Sequence, residues 1–176
     1  MTAAQDRATL RQSLRDKIDE VSQPGGWSGK KRKPCMSAVM DRTTGDIYYN
    51  HNVKDAVDPD DLDPLLRERY DKWLNKDNGS GWRQLEENQS MHGVPGQHSE
   101  VRALNEALKN ARSQGREPKL SDFMVENAKV TRDDLPSHKV PMPCCANCAQ
   151  MVDGTDGAWG GWTEPFGTKL EMWDRS

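Results

Sequence analysis

The stretch His98-Ser99-Glu100-Val101-Arg102-Ala103-Leu104 opens a segment whose apolar residues recur at helical spacing. Residues two apart on an ideal helix point about 200° away from each other. His98 and Glu100 therefore face one common point only if His98 precedes the helix, and Gly96 and Gln97 predict that it does. The predicted buried stripe is Val101, Leu104, Leu108 and Ala111, and the predicted outer side is Arg102, Asn105, Glu106 and Lys109.

A second stretch, Pro143-Cys144-Cys145-Ala146-Asn147-Cys148, carries three of the four cysteines of the chain. Cys145 and Cys148 are three residues apart, so they share one face of a helix. The motif has a proline directly before its first cysteine ligand, and Pro143 directly precedes Cys144. Cys144 is therefore the less favoured alternative to Cys145, which has the required spacing. One His and two Cys supply three ligands to a catalytic zinc ion and leave the fourth position open. We therefore predict a Zn²⁺ site formed by His98, Cys145 and Cys148.

Glu100 is not needed as a ligand and is predicted to carry protons instead. The pattern H-x-E followed by P-C-x-x-C is the signature of zinc deaminases that act on nucleobases. Zinc lowers the pKa of its bound water to about 7. Glu100 then transfers a proton from that water to the ring nitrogen and to the departing amine. The structural alternative is a zinc knot, or a buried histidine beside core cysteines.

Composition limits the class of protein. The 176 residues are 34% hydrophobic and 30% charged, which predicts one domain with a modest core. The net charge of −3 argues against nucleic-acid binding by bulk electrostatics. No apolar run is long enough for a membrane span, and the charged N-terminus does not resemble a secretory signal. Free cysteines in a metal-binding pattern favour a reducing compartment.

The predicted elements alternate between helices and strands, which favours a three-layer α/β fold. Residues 1–32 form an N-terminal helix and a linker, and 35–176 form the core. The strands are predicted at Cys35–Met40, Ile47–Asn50, Phe123–Val130 and Thr168–Trp173. The first helix is predicted from the spacing of Leu10, Leu14, Ile18 and Val21. A second follows Asp63-Pro64, with Leu66, Tyr70, Trp73 and Leu74 on its apolar side. A third begins near His98, and a short fourth runs from Cys144 or Cys145 to Gly154. The segment Thr131–Met142 is predicted to be a connection.

On these two motifs, the sequence resembles the bacterial toxin deaminases of the cytidine deaminase superfamily. The SsdA-type single-stranded DNA cytosine deaminases are similar, with the YwqJ-like toxin deaminases as relatives. The resemblance implies a mixed sheet of about five strands with helices on both faces. It also implies zinc bound by His98, Cys145 and Cys148, with Glu100 as proton shuttle. As further implications, the chain is the C-terminal domain of a larger secreted effector, has an immunity protein as partner and acts in the cytoplasm of a target bacterium.

The predicted function is hydrolytic conversion of cytosine to uracil in single-stranded DNA. The alternatives are deamination of RNA, duplex DNA or free nucleosides, and a non-catalytic zinc-stabilised binding module. The resemblance places an asparagine after the second hairpin strand against the substrate sugar, either Asn52, which we prefer, or Asn50. Exposed aromatic rings are platforms for stacking bases, and the candidates are Trp82 and Trp162, then Trp27 and Trp159.

The remaining ligand-type residues are assigned structural or solvent-facing roles. Cys35 begins a strand and is predicted to be a small buried hydrophobe. His51, His92 and His138 lie in polar segments and are predicted to face solvent. The run Lys30-Lys31-Arg32-Lys33 is predicted to be a solvated loop, with contact to a phosphate backbone as the alternative.

Overall fold

The computed structural model describes residues 2–32, 34–74, 97–142, 148 and 151–157. The described helices and strands follow the predicted order, with short 3₁₀ turns at Pro59–Asp61 and Leu120–Asp122. They are α1 (Ala3–Ser22), α2 (Gly29–Arg32), β1 (Cys35–Asp41), β2 (Ile47–His51), α3 (Pro64–Leu74), α4 (Ser99–Ser113) and β3 (Phe123–Lys129). None of the helices in these ranges is long and apolar enough to cross a membrane.

Helix α1 begins with a capping box in which Thr2 and Gln5 exchange side-chain to backbone hydrogen bonds. Its predicted apolar stripe is confirmed, because all four stripe residues are buried. These residues pack against the sheet as part of one core cluster, and they are Leu10, Leu14, Ile18 and Val21.

The described sheet has the order β2-β1-β3, and both of its pairings are antiparallel. The predicted hairpin of β1 and β2 is confirmed, with Met36 opposite His51 and Met40 opposite Ile47. Gly45 in the connecting turn has φ of 82°, a conformation that glycine adopts without steric cost. The α/β class is therefore confirmed, with β1 central among the described strands and buried along its whole length.

Alternate residues of the strands point to opposite faces of the sheet. Met36 and Met124 belong to the core cluster that contains α1, whereas Val39 and Val125 belong to the cluster that contains α4. Helices α1 and α4 therefore pack on opposite faces. This arrangement leaves the start of α4 beside the ends of β1 and β2 where Cys35 and His51 lie.

The outer edge of β3 is joined by two further backbone segments. Asp156 forms a parallel bridge with Met124, and Pro141 forms an antiparallel bridge with Ala128. The segment from Thr131 to Met142 otherwise forms turns, as predicted for a connection. The predicted strand Thr168–Trp173 lies outside the described residues.

Four details differ from the sequence-based expectation. Leu74 is 56% exposed, so the buried side of α3 consists of Leu66 and Trp73, with Tyr70 partly buried. Asn105, expected on the outer side of α4, is buried because its side chain bonds to the backbone before α3. Lys30, Lys31 and Arg32 of the basic run lie in the short helix α2 rather than in a loop, and Lys33 lies outside the described residues. The strand ends form the fourth difference: β3 ends at Lys129, one residue earlier than predicted, and β1 and β2 end at Asp41 and His51, one residue later.

Asp63 joins α3 to α4, as its position before Pro64 suggests. Its side chain is fully buried, and its Oδ1 accepts from the backbone N–H of Leu65 at 3.0 Å. Its Oδ2 accepts from Arg112 Nε on α4 at 2.5 Å. Its own backbone N–H donates to Asn105 Oδ1 at 2.7 Å. The Asp63 carboxylate therefore caps α3 and forms an ion pair with Arg112 of α4.

We expect Asp63→Ala to lower the free energy of unfolding by about 2 kcal/mol, because the cap is lost and Arg112 loses a buried partner. The partial exposure of Arg112 keeps the loss below that of a fully buried pair. Asp60→Ala removes an ion pair with Arg67 whose aspartate is 89% exposed, and it is the matched control with less than about 0.5 kcal/mol expected. Urea unfolding measures both, and equal losses would contradict this role of Asp63.

Candidate metal centre

The start of α4 has the geometry that the sequence predicts. His98 is the N-cap residue, with an extended backbone of φ −84° and ψ 151°, and the helix begins at Ser99. Because His98 is not yet helical, its side chain and that of Glu100 reach the same region. His98 makes no side-chain capping hydrogen bond to the start of α4.

The cap of α4 comes from the β2 side instead. Asn52 Oδ1 accepts from the backbone N–H of Ser99 at 2.8 Å. Two more bonds connect the same segments, from the Val53 backbone N–H to the Gln97 carbonyl at 2.9 Å and from Gln97 Nε2 to the Lys54 carbonyl at 2.8 Å. The residues after β2 therefore fix where the helix starts and where His98 points.

His98, Glu100 and Cys148 meet at this end of the sheet. His98 Nδ1 lies 3.2 Å from Cys148 Sγ, and the ligand-type atoms of all three side chains lie within 4.8 Å of one another. Cys148 is fully buried, Glu100 is 2% exposed, and His98 is partly buried. The structure brings together three residues that the sequence motifs assign to one site, although His98 and Cys148 are 50 positions apart.

The donor set fits a zinc ion. A tetrahedral zinc with Zn–S of about 2.3 Å and Zn–N of about 2.0 Å holds its sulfur and nitrogen ligands about 3.5 Å apart. The 3.2 Å between His98 Nδ1 and Cys148 Sγ is close to that separation. Imidazole and thiolate are also ligand types that zinc prefers.

Cys148 lies in the predicted short helix. Cys148, Met151 and Val152 have helical conformation and belong to the buried cluster beneath α4. Gly154 follows with φ of 99°, a left-handed conformation that ends a helix at little cost for glycine. Cys144 and Cys145 lie outside the described residues, so the choice between them as the third ligand stays a prediction.

A buried polar cluster supports the start of α4 from the sheet, and the sequence analysis missed it. Ser99 Oγ lies 2.5 Å from Ser37 Oγ on β1, and Ser37 Oγ donates to Asn127 Oδ1 on β3. Ser99 Oγ also donates to Cys35 Sγ at 3.5 Å. The available signal was the presence of polar Ser37 and Asn127 in the middle of two largely buried strands.

Cys35 is buried, as predicted, and differs chemically from the ligand cysteines. Burial, together with the nearby charge of Glu100, raises its pKa to about 12. Cys35 is therefore a thiol at neutral pH, whereas a zinc ligand must be a thiolate. This supports its assignment as a structural residue.

Of the other predicted site residues, the two asparagines are described by the structure and three of the tryptophans are not. Asn50 lies beside α4, where its Oδ1 accepts from Arg102 Nε at 3.2 Å and its Nδ2 lies 3.5 Å from Glu106 Oε2. Asn52 is nearer the centre because it bonds to Ser99. Trp82, Trp159 and Trp162 lie outside the described residues, as does His92.

His51 and His138, expected to face solvent rather than a metal, are only partly exposed. His51 is partly buried against the ring of Trp27, at 4.7 Å between centroids, because the residues between α1 and β1 fold over the end of β2. The His138 side chain is only 7% exposed, with Nε2 at 3.3 Å from Asp133 and Nδ1 accepting from the Thr131 backbone N–H. Neither residue belongs to the cluster of His98, Glu100 and Cys148.

Comparison with known proteins agrees with this arrangement. The chain matches the family model of YwqJ-like deaminases over residues 24–156. The protein named Toxin YwqJ of Bacillus subtilis (strain 168) is 30% identical over 152 residues, which cover 85% of this chain but only 23% of that protein. No solved structure matches the chain. The expected membership among toxin deaminases of the cytidine deaminase superfamily is thus confirmed, whereas a nearer likeness to the SsdA type stays a prediction. The chain belongs to the family of YwqJ-like deaminases.

Proposed function

We propose that this chain is a zinc-dependent deaminase that converts cytosine to uracil in single-stranded DNA. The main support is the cluster in which His98 Nδ1 and Cys148 Sγ are 3.2 Å apart, with the Glu100 carboxylate within 4.8 Å. A metal that only stabilises a fold has no need of a buried carboxylate at that position. Membership of a deaminase family supports deamination as the reaction, and the cluster supports the choice of residues proposed to carry it out.

His98, Cys148 and Cys145 are the proposed ligands of the zinc ion. When bound, zinc acts as a Lewis acid that makes water a nucleophile at neutral pH. Asn52 and the polar cluster under Ser99 hold the start of α4, and through it the His98 ring, in one orientation. Such supporting contacts commonly change metal affinity by about 10-fold to 100-fold.

Glu100 moves the protons of the reaction. Its carboxylate takes a proton from the attacking water and gives it to N3 of cytosine as the new bond to C4 forms. Glu100 then takes the proton of the new C4 hydroxyl and gives it to the amino group, the C4–N bond breaks, and ammonia leaves while C4 becomes a carbonyl carbon. Burial of Glu100 keeps bulk water away from these transfers.

Asn52 is the proposed contact for the substrate sugar, with Asn50 as the alternative. Asn52 Oδ1 is occupied by the N–H of Ser99, which leaves its amide Nδ2 as the donor for a ligand. Asn50 is oriented toward Arg102 and Glu106, along α4. Trp82 and Trp162 remain the proposed stacking residues, and loss of activity on oligonucleotides in their alanine variants is the test.

Two substitutions of Asn52 separate its structural role from its substrate role. We expect Asn52→Ala to lower the free energy of unfolding by about 1 kcal/mol, because the α4 start loses its acceptor. Asn52→Asp keeps an acceptor but loses the amide donor, so it should unfold like wild type and still lose at least about tenfold in kcat/KM. Thermal unfolding and steady-state kinetics measure the pair. Full turnover in Asn52→Asp would exclude the sugar contact.

We further propose that residues 35–176 complete a three-layer deaminase fold with a mixed sheet of about five strands. The parallel bridge at Asp156 supports a further strand beside β3. We also propose that the chain is the toxin domain of a larger effector that acts in the cytoplasm of a target bacterium and is neutralised by an immunity protein. The name of the similar Bacillus protein supports the toxin role.

A substrate panel tests the proposal. Zinc-loaded protein is incubated with cytosine-containing single-stranded DNA, the duplex form, RNA of the same sequence and free cytidine, and uracil is measured in each. We expect uracil to form fastest in single-stranded DNA, because stacking in a duplex hides the base. Faster turnover of RNA, duplex or cytidine would overturn the substrate assignment, and no turnover of any of them would favour the binding module.

A further inference from the structure

Trp27 and His51 form an aromatic pair at the end of β2. Their ring centroids are 4.7 Å apart, with an angle of 64° between the planes, so the two rings meet edge to face. Trp27 belongs to the residues between α1 and α2 and packs partly against the α1 side of the core. Both rings are partly buried, so each keeps some surface exposed to solvent.

Two lysines of α2 extend this pair into a charged surface. Lys31 Nζ lies 4.4 Å from the centroid of the Trp27 ring, and Lys30 and Lys31 are exposed. Within the described part of the chain, neither lysine forms an ion pair. Arg32, by contrast, donates a hydrogen bond from Nη1 to Ser22 Oγ at 2.5 Å. We call Trp27, Lys30, Lys31 and His51 the basic aromatic corner.

The corner is directly connected to the candidate metal centre. His51 Nδ1 lies 2.9 Å from the backbone oxygen of Asn52, and Asn52 Oδ1 accepts from the N–H of Ser99, the residue after His98. The corner therefore lies two short contacts away from the start of α4, where the target base is proposed to bind.

Arg102 is a further positive charge near His51. Burial lowers the pKa of His51, and the charges of Lys31 and Arg102 lower it further, so the imidazole is neutral at pH 7. Arg102 lies one helical turn after His98, on α4. Cations from two separate elements thus converge on an uncharged aromatic pair, in a chain whose net charge is −3.

We propose that the basic aromatic corner binds the strand that flanks the target cytosine, with phosphate paired to Lys30 and Lys31 and a base stacked on Trp27. This inference rests on the proposed function for its substrate class, a single-stranded polynucleotide. Stacking of a base on an aromatic ring is stronger than an exposed cation–π contact, so a base can take the place of the Lys31 ammonium and free it for a phosphate. A free nucleoside has no phosphate and no second base, which makes the corner a determinant of specificity for a polynucleotide.

Binding is measured by fluorescence anisotropy with a labelled single-stranded DNA in the Glu100→Gln background, so that no turnover is needed. We expect Lys30→Ala with Lys31→Ala to weaken binding at least about tenfold at low salt. The slope of log K against log salt should fall in magnitude by about 1.4, since each phosphate contact on a single strand contributes about 0.7. Trp27→Leu, which keeps an apolar side chain, should weaken binding at least about fivefold without changing that slope.

The control is Lys17→Ala with Lys119→Ala, which removes the same charge. Lys17 also lies over an aromatic ring, 5.5 Å from the Tyr49 centroid, and Lys119 is exposed outside the corner. We expect wild-type DNA affinity in this control. Equal weakening in both double variants would overturn the proposal, because binding would then follow net charge alone.

The arms of the experiment also separate this inference from the proposed function. If the corner variants lose DNA binding while wild type deaminates no cytosine compound, the corner stands and the proposed reaction fails. If wild type deaminates DNA and the corner variants bind it as wild type does, the corner is wrong and the reaction stands. Tighter binding of RNA than DNA of the same sequence would reassign the polynucleotide to RNA.

Discussion

Replacing Glu100 with Gln is expected to lower kcat by about 10³-fold, within the range that general acid–base catalysis contributes. The amide nearly matches the carboxylate in shape but cannot accept and pass on a proton. Zinc content should stay at the wild-type level, because the proposed ligands are His98, Cys145 and Cys148. Uracil formation and zinc analysis by mass spectrometry are measured on the same preparation.

The zinc measurement is needed because Glu100 lies close enough to His98 and Cys148 to be a ligand itself. Loss of both zinc and turnover in Glu100→Gln would make it a ligand, whereas full turnover would remove it from the mechanism. Glu68→Gln is the matched control, since Glu68 is exposed on α3 and paired only with Lys72 at 3.1 Å in the described residues. It should retain both properties.

Cys148→Ser is expected to lower zinc affinity by more than about 100-fold and to abolish turnover. Contacts that only support a ligand already cost about 10-fold to 100-fold, so loss of a ligand costs more. Cys145→Ser should have the same effect, while Cys144→Ser should keep zinc, because the C-x-x-C spacing of the motif selects Cys145 and Cys148 as the ligand pair. Competition with a chromophoric chelator gives the affinities.

Cys35→Ala is the control for this series. Cys35 is a buried thiol near the same centre, and its pKa of about 12 keeps it from acting as a thiolate. It should bind zinc as wild type does. Zinc loss in Cys144→Ser and retention in Cys145→Ser would reverse the ligand assignment, and retention in Cys148→Ser would contradict the site.

The parts of the site that could be predicted from sequence are those encoded locally. The apolar spacing from Val101 to Ala111 fixed one face of α4, and the residue types just before it predicted a ligand at the helix start. The family motif then connected His98 and Glu100 with Cys148. The hairpin followed equally from two apolar runs around a Thr-Thr-Gly turn.

The parts that could not be predicted depend on contacts between distant residues. Asn52 caps α4 across 47 positions, and Ser37 meets Ser99 across 62. The local pattern does not show which distant partner each of these side chains contacts. Asn105 was predicted to lie on the outer side of α4 for the same reason, because only the fold brings the backbone of Asp61 and Asp63 to its side-chain amide. Burial of His138 likewise depends on the turns of its own connection.

The most direct test of the account is uracil release from a cytosine-containing single-stranded oligonucleotide, measured on chelator-treated protein before and after zinc is restored. We predict no release from the zinc-free protein and recovery of release as zinc approaches one ion per chain. Equal release without zinc, or none from the zinc-restored protein, would contradict a metal-dependent cytosine deaminase at His98, Glu100 and Cys148.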